Sequence, residues 1–284
     1  MVIDCANGAA SASAPVALAG LGAEVTVLGD RPDGTNINER CGSTDLSGLA
    51  AAVTGSGADL GLAFDGDADR VLAVDHRGIA VDGDELIGMC AIDLKARGLL
   101  VDDTVVVTVM ANQGFRLGMR RAGIVVHETA VGDRYVLAAL EAGGWVLGGE
   151  QSGHVIFRRL ATTGDGLLTG LLVADLVRRS GRSLADLASA TMHRLPQVLV
   201  NVPLGEAGPA EVAAVLERIG PLVCDVEARL GEEGRVLIRP SGTEPLIRVM
   251  VEAAEADDAR ALTAELVDAV RREAGRGARA VRAD

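Results

Sequence analysis

The chain has 284 residues, 49% of them hydrophobic, with a formal net charge of −13 and a pI near 4.8. That length and apolar content suffice for two or three cores. The acidic balance and the 2% aromatic content argue against general nucleic-acid binding and base stacking, but a few local arginines would still suffice for phosphate. Cys5, Cys41, Cys90 and Cys224 form no C-x-x-C pair and lie in or near apolar segments. They read as buried, reduced thiols of a cytoplasmic protein rather than as a zinc site or a disulfide framework. No apolar run reaches a membrane span without interruption, and Met1-Val2-Ile3-Asp4 lacks the basic and apolar regions of a signal segment. It reads as a strand already under way, as at an internal domain boundary.

Residues 1–78 alternate strand and helix signals: strands at 2–4, 23–28 and 60–64, helices at 14–21 and 46–53, and a further apolar run at 71–74. This βαβ pattern builds a parallel sheet covered by helices. Residues 79–190 repeat it, with helices at 84–97, 112–122, 133–142 and 166–179 and strands at 104–109, 124–126 and 145–147. Residues 191–284 differ. A strand at 196–203 precedes helices at 210–218 and 222–230, then strands at 235–239 and 246–252, and an amphipathic helix at 257–273 closes the chain. The expected fold is α/β: two consecutive α/β domains with mixed, mainly parallel sheets (1–78 and 79–190), followed by an α+β C-terminal domain (191–284).

Four loops carry chemistry. The first is Asp65-Gly66-Asp67-Ala68-Asp69-Arg70, where a strand ends. Three carboxylates on alternate residues repel one another unless a cation joins them, and oxygen-only ligands suit a hard ion such as Mg2+. An isolated D-x-D would as readily be a solvated turn; the full six-residue pattern is more specific. Arg70 either meets the ion's phosphate partner or pairs with the acids. The second loop is Gly148-Gly149-Glu150-Gln151-Ser152-Gly153-His154. Glu150 and Ser152 suit sugar hydroxyls, and His154 is a candidate acid or base near neutral pH. Taken alone, the loop reads equally well as a Gly-rich turn. In the third, Arg239-Pro240-Ser241-Gly242-Thr243-Glu244-Pro245 with Arg248 beyond, backbone N–H groups around Gly242, two hydroxyls and two guanidinium groups match a phosphate. The fourth, Val131-Gly132-Asp133-Arg134-Tyr135, is weaker, since Gly-Asp before a helix is a routine start signal.

These loops, with Asp4-Cys5-Ala6-Asn7-Gly8-Ala9, Pro32-Asp33-Gly34-Thr35-Asn36-Ile37-Asn38 and Cys41-Gly42-Ser43-Thr44, run in the order found in the α-D-phosphohexomutase superfamily, which the chain resembles over nearly its whole length. Gln151 is closer to the glucosamine branch than to the phosphomannomutase branch. The resemblance implies Mg2+ on Asp65, Asp67 and Asp69 and sugar contacts at Glu150 and Ser152, with Gly132 and Asp133 beside them. It implies phosphate contacts at Arg239, Ser241, Gly242, Thr243 and Arg248, and catalytic roles for Arg70 and His154. It also implies a hexosamine phosphate substrate, with glucosamine 6-phosphate and glucosamine 1-phosphate interconverted through a bisphosphorylated sugar, and no nucleic-acid or membrane partner. Members have four domains, and the first carries a phosphoserine in a Ser-His-Asn-Pro type loop. No Ser-His-Asn sequence occurs here. The chain thus matches domains two to four. It is expected to be inactive alone and to self-associate through the face left by the first domain. The alternatives are a sugar-phosphate binding module without turnover, another phosphohexomutase, and a dehalogenase-type phosphatase using Asp65 as nucleophile.

Overall fold

The computed structural model describes residues 1–205, 208–241 and 244–280, and the chain divides into two compact units: 1–111 with 115–193, and 112–114 with 194–284. Gly242 and Thr243 of the expected phosphate loop lie outside the described residues.

The first unit contains two sheets. The elements of the first are β1 (Val2–Asp4), α1 (Ala10–Gly20), β2 (Thr26–Leu28), α2 (Ser47–Ser56), β3 (Leu60–Phe64), β4 (Val71–Asp75) and β5 (Ala80–Val81). The strand order is β2-β1-β3-β4-β5, parallel through β2, β1 and β3 and antiparallel from β3 to β5. β3 is buried along its whole length, as a near-continuous apolar strand covered on both faces must be. Strand alternation divides its contacts. Val2, Ala63 and Val74 meet Leu49 and Val53 of α2 on one face, while Ile3, Leu62 and Phe64 belong to the larger core on the other. α1 starts four residues earlier than its apolar pattern suggested and accommodates Pro15. Its buried residues, Ala10, Ala14 and Leu18, lie on one face and join the larger core.

Next come α3 (Gly83–Ala96), β6 (Thr104–Thr108), α4 (Gln113–Arg121), β7 (Val125–Thr129), α5 (Asp133–Gly143), β8 (Leu147–Gly149), β9 (Val155–Phe157), α6 (Gly166–Ser180) and α7 (Leu184–Thr191). The sheet order is β7-β6-β8-β9, with β9 antiparallel. Neither β9 nor α7 was expected from the sequence. α5 covers one face through Val136 and Leu140; Val105, Val107 and Leu147 enter the larger core on the other. α6 also lies on the first sheet, so closely that a Cβ on Gly170 would come within 2.9 Å of Leu62. That packing joins residues 1–78 and 79–190 in one unit.

The second unit has β10 (Gln197–Pro203), α8 (Pro209–Leu230), β11 (Arg235–Pro240), β12 (Leu246–Glu252) and α9 (Ala256–Ala280). Its sheet, β10-β12-β11, is antiparallel throughout, and Val202, Ile247, Val249 and Val251 pack with both helices. Glu252, fully buried, is held by the Arg235 guanidinium at 2.8 and 3.2 Å. The two helices expected at 210–218 and 222–230 are one. Pro221 sits inside α8 because Val212, Val215, Ile219 and Val226 form one buried stripe across it, and that burial outweighs the lost backbone bond. Of the cysteines, Cys5 and Cys90 are buried, and burial pushes both thiols up to about 12; Cys41 is half-buried and Cys224, on α8, is exposed, against expectation. Among the described residues no helix is long and apolar enough to cross a membrane.

An interior proline costs a helix about 3 kcal/mol relative to alanine, offset by up to about 1 kcal/mol through the stiffer unfolded chain. Pro221→Ala should therefore stabilise the second unit by roughly 2 kcal/mol, read as a higher urea midpoint in far-UV circular dichroism. A lower midpoint would mean that the proline ring itself is needed in the packing.

Candidate functional site

The acidic loop is the turn between β3 and β4, and segments distant in sequence hold it. Ala9 N–H donates to Gly66 O at 2.9 Å, and Gly8 lies so close to that carbonyl that no Cβ fits. The Ala6–Ala9 segment is fixed in turn by Asp4, whose buried carboxylate accepts the N–H groups of Ala6 and Gly42, both at 2.9 Å. From the other side, Gly166 N–H at the start of α6 donates to Ala68 O at 2.9 Å. Ala68 adopts φ +63°, a left-handed conformation uncommon for alanine, within this tight turn.

Asp65, Asp67 and Asp69 each offer a carboxylate oxygen, and these atoms lie within 4.8 Å of one another. Asp65 is buried, Asp69 half-buried and Asp67 exposed. Burial pushes the Asp65 carboxyl up to about 6; the Arg70 N–H at 3.2 Å opposes this, and Asp69 and Asp67 add to it. The Arg70 Nε is 3.6 Å from Asp65 and 3.5 Å from Asp69, beyond good hydrogen-bond length. Asp69 Oδ1 is buried with no hydrogen-bond partner among the described residues. A hard, all-oxygen donor set with an orphaned buried carboxylate oxygen fits a divalent cation.

The 150–154 loop is likewise a hairpin turn, between β8 and β9. It abuts the acidic turn: Val71 N–H donates to Gly153 O at 3.1 Å, and Gly153, at φ +93°, leaves no room for a Cβ against Val71 O. His154 is buried. Its Nδ1 lies 3.1 Å from Asp69 Oδ2 and its Nε2 accepts Gly164 N–H at 3.0 Å. Both ring nitrogens are engaged, which leaves the expected acid–base role no free nitrogen in this arrangement. Glu150 Oε1 accepts Gly132 N–H at 3.1 Å, so the second and fourth motif loops meet. Gly132, at φ +130°, is in a conformation that favours glycine, and Asp133 begins α5 with its carboxylate on its neighbour's N–H. Ser152 is exposed. Gln151, read from the sequence as a branch marker, donates its amide to Asp82 Oδ2 at 3.1 Å and so braces the N-terminal cap of α3. Sequence reasoning missed Gly164, Asp165 and Gly166; the Gly-Asp-Gly ahead of an apolar helix was the signal that could have found them.

In the second unit Arg239 and Arg248 are register partners on β11 and β12, two like charges directly opposite one another. Burial, then the charge of Arg248, lower the Arg239 pKa, and Arg248 Nε is buried with no hydrogen-bond partner among the described residues. Ser241 N–H donates to Leu246 O at 2.9 Å and its Oγ accepts Glu244 N–H at 3.3 Å. Two facing guanidinium groups, one with an orphaned donor, suit an oxyanion.

The comparisons agree along the chain. Phosphoglucomutase/phosphomannomutase family models match in order: alpha/beta/alpha domain II over residues 1–78, alpha/beta/alpha domain III over 82–195 and the C-terminal domain over 199–269. A phosphoglucosamine mutase from Kineococcus radiotolerans is 57% identical over 272 residues, which are 96% of this chain and 59% of that protein. The chain thus spans about three fifths of the length of this curated relative. A Burkholderia thailandensis phosphoglucomutase/phosphomannomutase family protein has a similar fold, with a TM-score of 0.77 at 22% identity over 96% of this chain and 60% of its own. So does an Aspergillus fumigatus N-acetylphosphoglucosamine mutase solved with GlcNAc-6P and magnesium, with a TM-score of 0.71 at 22% identity over 96% and 61%. With its three matched domains in family order and its strong identity to a curated member, the chain belongs to the phosphoglucomutase/phosphomannomutase family.

Proposed function

We propose that this chain is the metal- and sugar-phosphate-binding portion of a cytoplasmic phosphoglucosamine mutase, which interconverts glucosamine 6-phosphate and glucosamine 1-phosphate through a bisphosphorylated sugar. The observation that carries this reading is an acidic triad with an orphaned buried oxygen in a chain 57% identical to such an enzyme. Asp65, Asp67 and Asp69 would hold Mg2+, which when bound supplies charge neutralisation to a transferring phosphoryl group. Arg70, with its side chain half exposed and its Nε toward the acids, presents a cation to a phosphoryl group arriving at the triad. Glu150, oriented by Gly132 N–H, and exposed Ser152 take sugar hydroxyls, with Asp133 next to Gly132 as a further contact. Arg239, Ser241 and Arg248 clamp the other phosphate, with Gly242 and Thr243 of the same loop. Such a division suits phosphoryl transfer, which rests on positioning and electrostatics more than on covalent side-chain chemistry. The burial of Asp65 weighs against a phosphatase that would use it as nucleophile.

The absence of any Ser-His-Asn sequence favours binding without turnover for these 284 residues by themselves. Purified chain with Mg2+ should bind glucosamine 6-phosphate in calorimetry yet form no glucosamine 1-phosphate. Turnover from material free of host enzyme would overturn the inactivity, and no binding at millimolar ligand would overturn the sugar-phosphate site.

Charge-assisted hydrogen bonds are worth about 1.5–3 kcal/mol, so Arg248→Ala should weaken glucosamine 6-phosphate binding roughly 10- to 100-fold. Arg248→Lys should recover only part of that, having lost the planar fork.

The Asp65 shift has a definite sign. Its folded-state value is raised, so the metal-free fold holds a proton that the unfolded chain has released. Its contribution to stability is present below the ordinary value of 3.8 and is lost as pH rises through about 6. Asp65→Asn should therefore raise the melting temperature of metal-free protein above about pH 6. Mg2+ should raise the melting temperature of the unaltered chain in that range and not that of the variant. A variant that melts lower than the unaltered chain without metal would contradict this assignment.

A further inference from the structure

His154 is buried at 4% exposure, 85 residues from Asp69 in sequence, and each ring nitrogen has one partner. Gly164 N–H can only donate, so the Nε2 it points to must be a lone-pair acceptor. The neutral imidazole then carries its proton on Nδ1 and donates it to Asp69 Oδ2 at 3.1 Å. The ring also lies flat against Gly164: a Cβ there would overlap ring atoms Cε1, Nδ1 and Nε2. Gly166, two residues on, donates to Ala68 O of the acidic turn itself. One short segment, Gly164 to Gly166, therefore fixes both the histidine and the turn it serves. With Oδ2 held, the remaining oxygen of Asp69 is the buried Oδ1, which has no hydrogen-bond partner among the described residues and lies 3.5 Å from the Arg70 Nε, beyond good hydrogen-bond length.

We propose that His154 is a positioning residue: locked by Gly164 as the Nδ1–H tautomer, it holds Asp69 Oδ2 and so presents Asp69 Oδ1 as a preformed cation ligand. This rests on the reading of Asp65, Asp67 and Asp69 as the metal site. The role is that of an outer partner that orients a ligating carboxylate, a class of contact whose loss costs about 10- to 100-fold in metal affinity.

The test is Mg2+ binding to the 284-residue chain by calorimetry. Asn carries its amide nitrogen as many bonds from Cβ as Nδ1, so His154→Asn keeps a donor toward Asp69; Gln places its amide where Nε2 was. His154→Gln should lose tenfold or more in Mg2+ affinity, while His154→Asn stays within about threefold of the unaltered chain. In parallel, 15N shifts of the imidazole in unaltered, metal-free protein should place the proton on Nδ1; this needs no variant to fold. Unchanged Mg2+ affinity in a folded His154→Gln variant, or a proton on Nε2, overturns the role of His154 and leaves the metal site standing. Failure of the unaltered chain to bind millimolar Mg2+ overturns the metal site and this role with it.

Discussion

Repulsion among Asp65, Asp67 and Asp69 is the constraint on which the first unit's organisation turns. Left to itself, a six-residue turn with three carboxylate oxygens within 4.8 Å would splay toward solvent. Here it is held closed by backbone bonds from Ala9, Gly166 and the β8–β9 turn, with the buried Asp4 carboxylate fixing the loop that supplies the first of them. Those holding segments come from both α/β portions of the unit. The site is therefore a property of their joint packing, not of the turn's own sequence.

The second unit shows the same logic with the sign reversed. The β11–β12 register sets Arg239 against Arg248, and burial, with the Arg248 charge added, lowers the Arg239 pKa. Two of the four motif loops, 65–70 and 150–154, are hairpin turns, and Arg239 and Arg248 of a third stand on paired antiparallel strands. The choice has a physical reason. Ladder hydrogen bonds on either side fix where each side chain leaves the backbone, while the turn leaves N–H and C=O groups for contacts elsewhere.

Much of this was legible in the sequence because the signals were local. Leu60–Phe64 announces a buried strand by its unbroken apolar run, and the three alternate aspartates announce their own repulsion. The fused α8 was not legible: Gly220-Pro221 is a proper local stop signal, overridden by a buried stripe visible only once the sheet is in place. β9 was missed because three residues between two turns carry too little periodicity to register. Gln151 and His154 were assigned by residue type alone. What each side chain does depends on Asp82, 69 residues away, and on Asp69, 85 residues away. No window along the chain contains such pairs.

A site built this way bears the mutual repulsion of its own carboxylates until a cation joins them. Preassembled charge spares the reaction the work of reorganising dipoles as phosphoryl charge develops, but the ligand-free protein must bear the uncompensated repulsion. The structure localises that burden: the Asp65 carboxyl is pushed up to about 6, while the buried Oδ1 of Asp69 has no hydrogen bond among the described residues and only the Arg70 Nε at 3.5 Å to offset its charge. A cation that arrives at Asp65 favours its ionised form directly, but a misdirected Asp69 would have to be re-aimed against its hydrogen bond to buried His154. Asp69 is the member of the triad with a side-chain hydrogen bond to a buried, immobilised partner, and it is the one whose orientation the site could least afford to leave to chance.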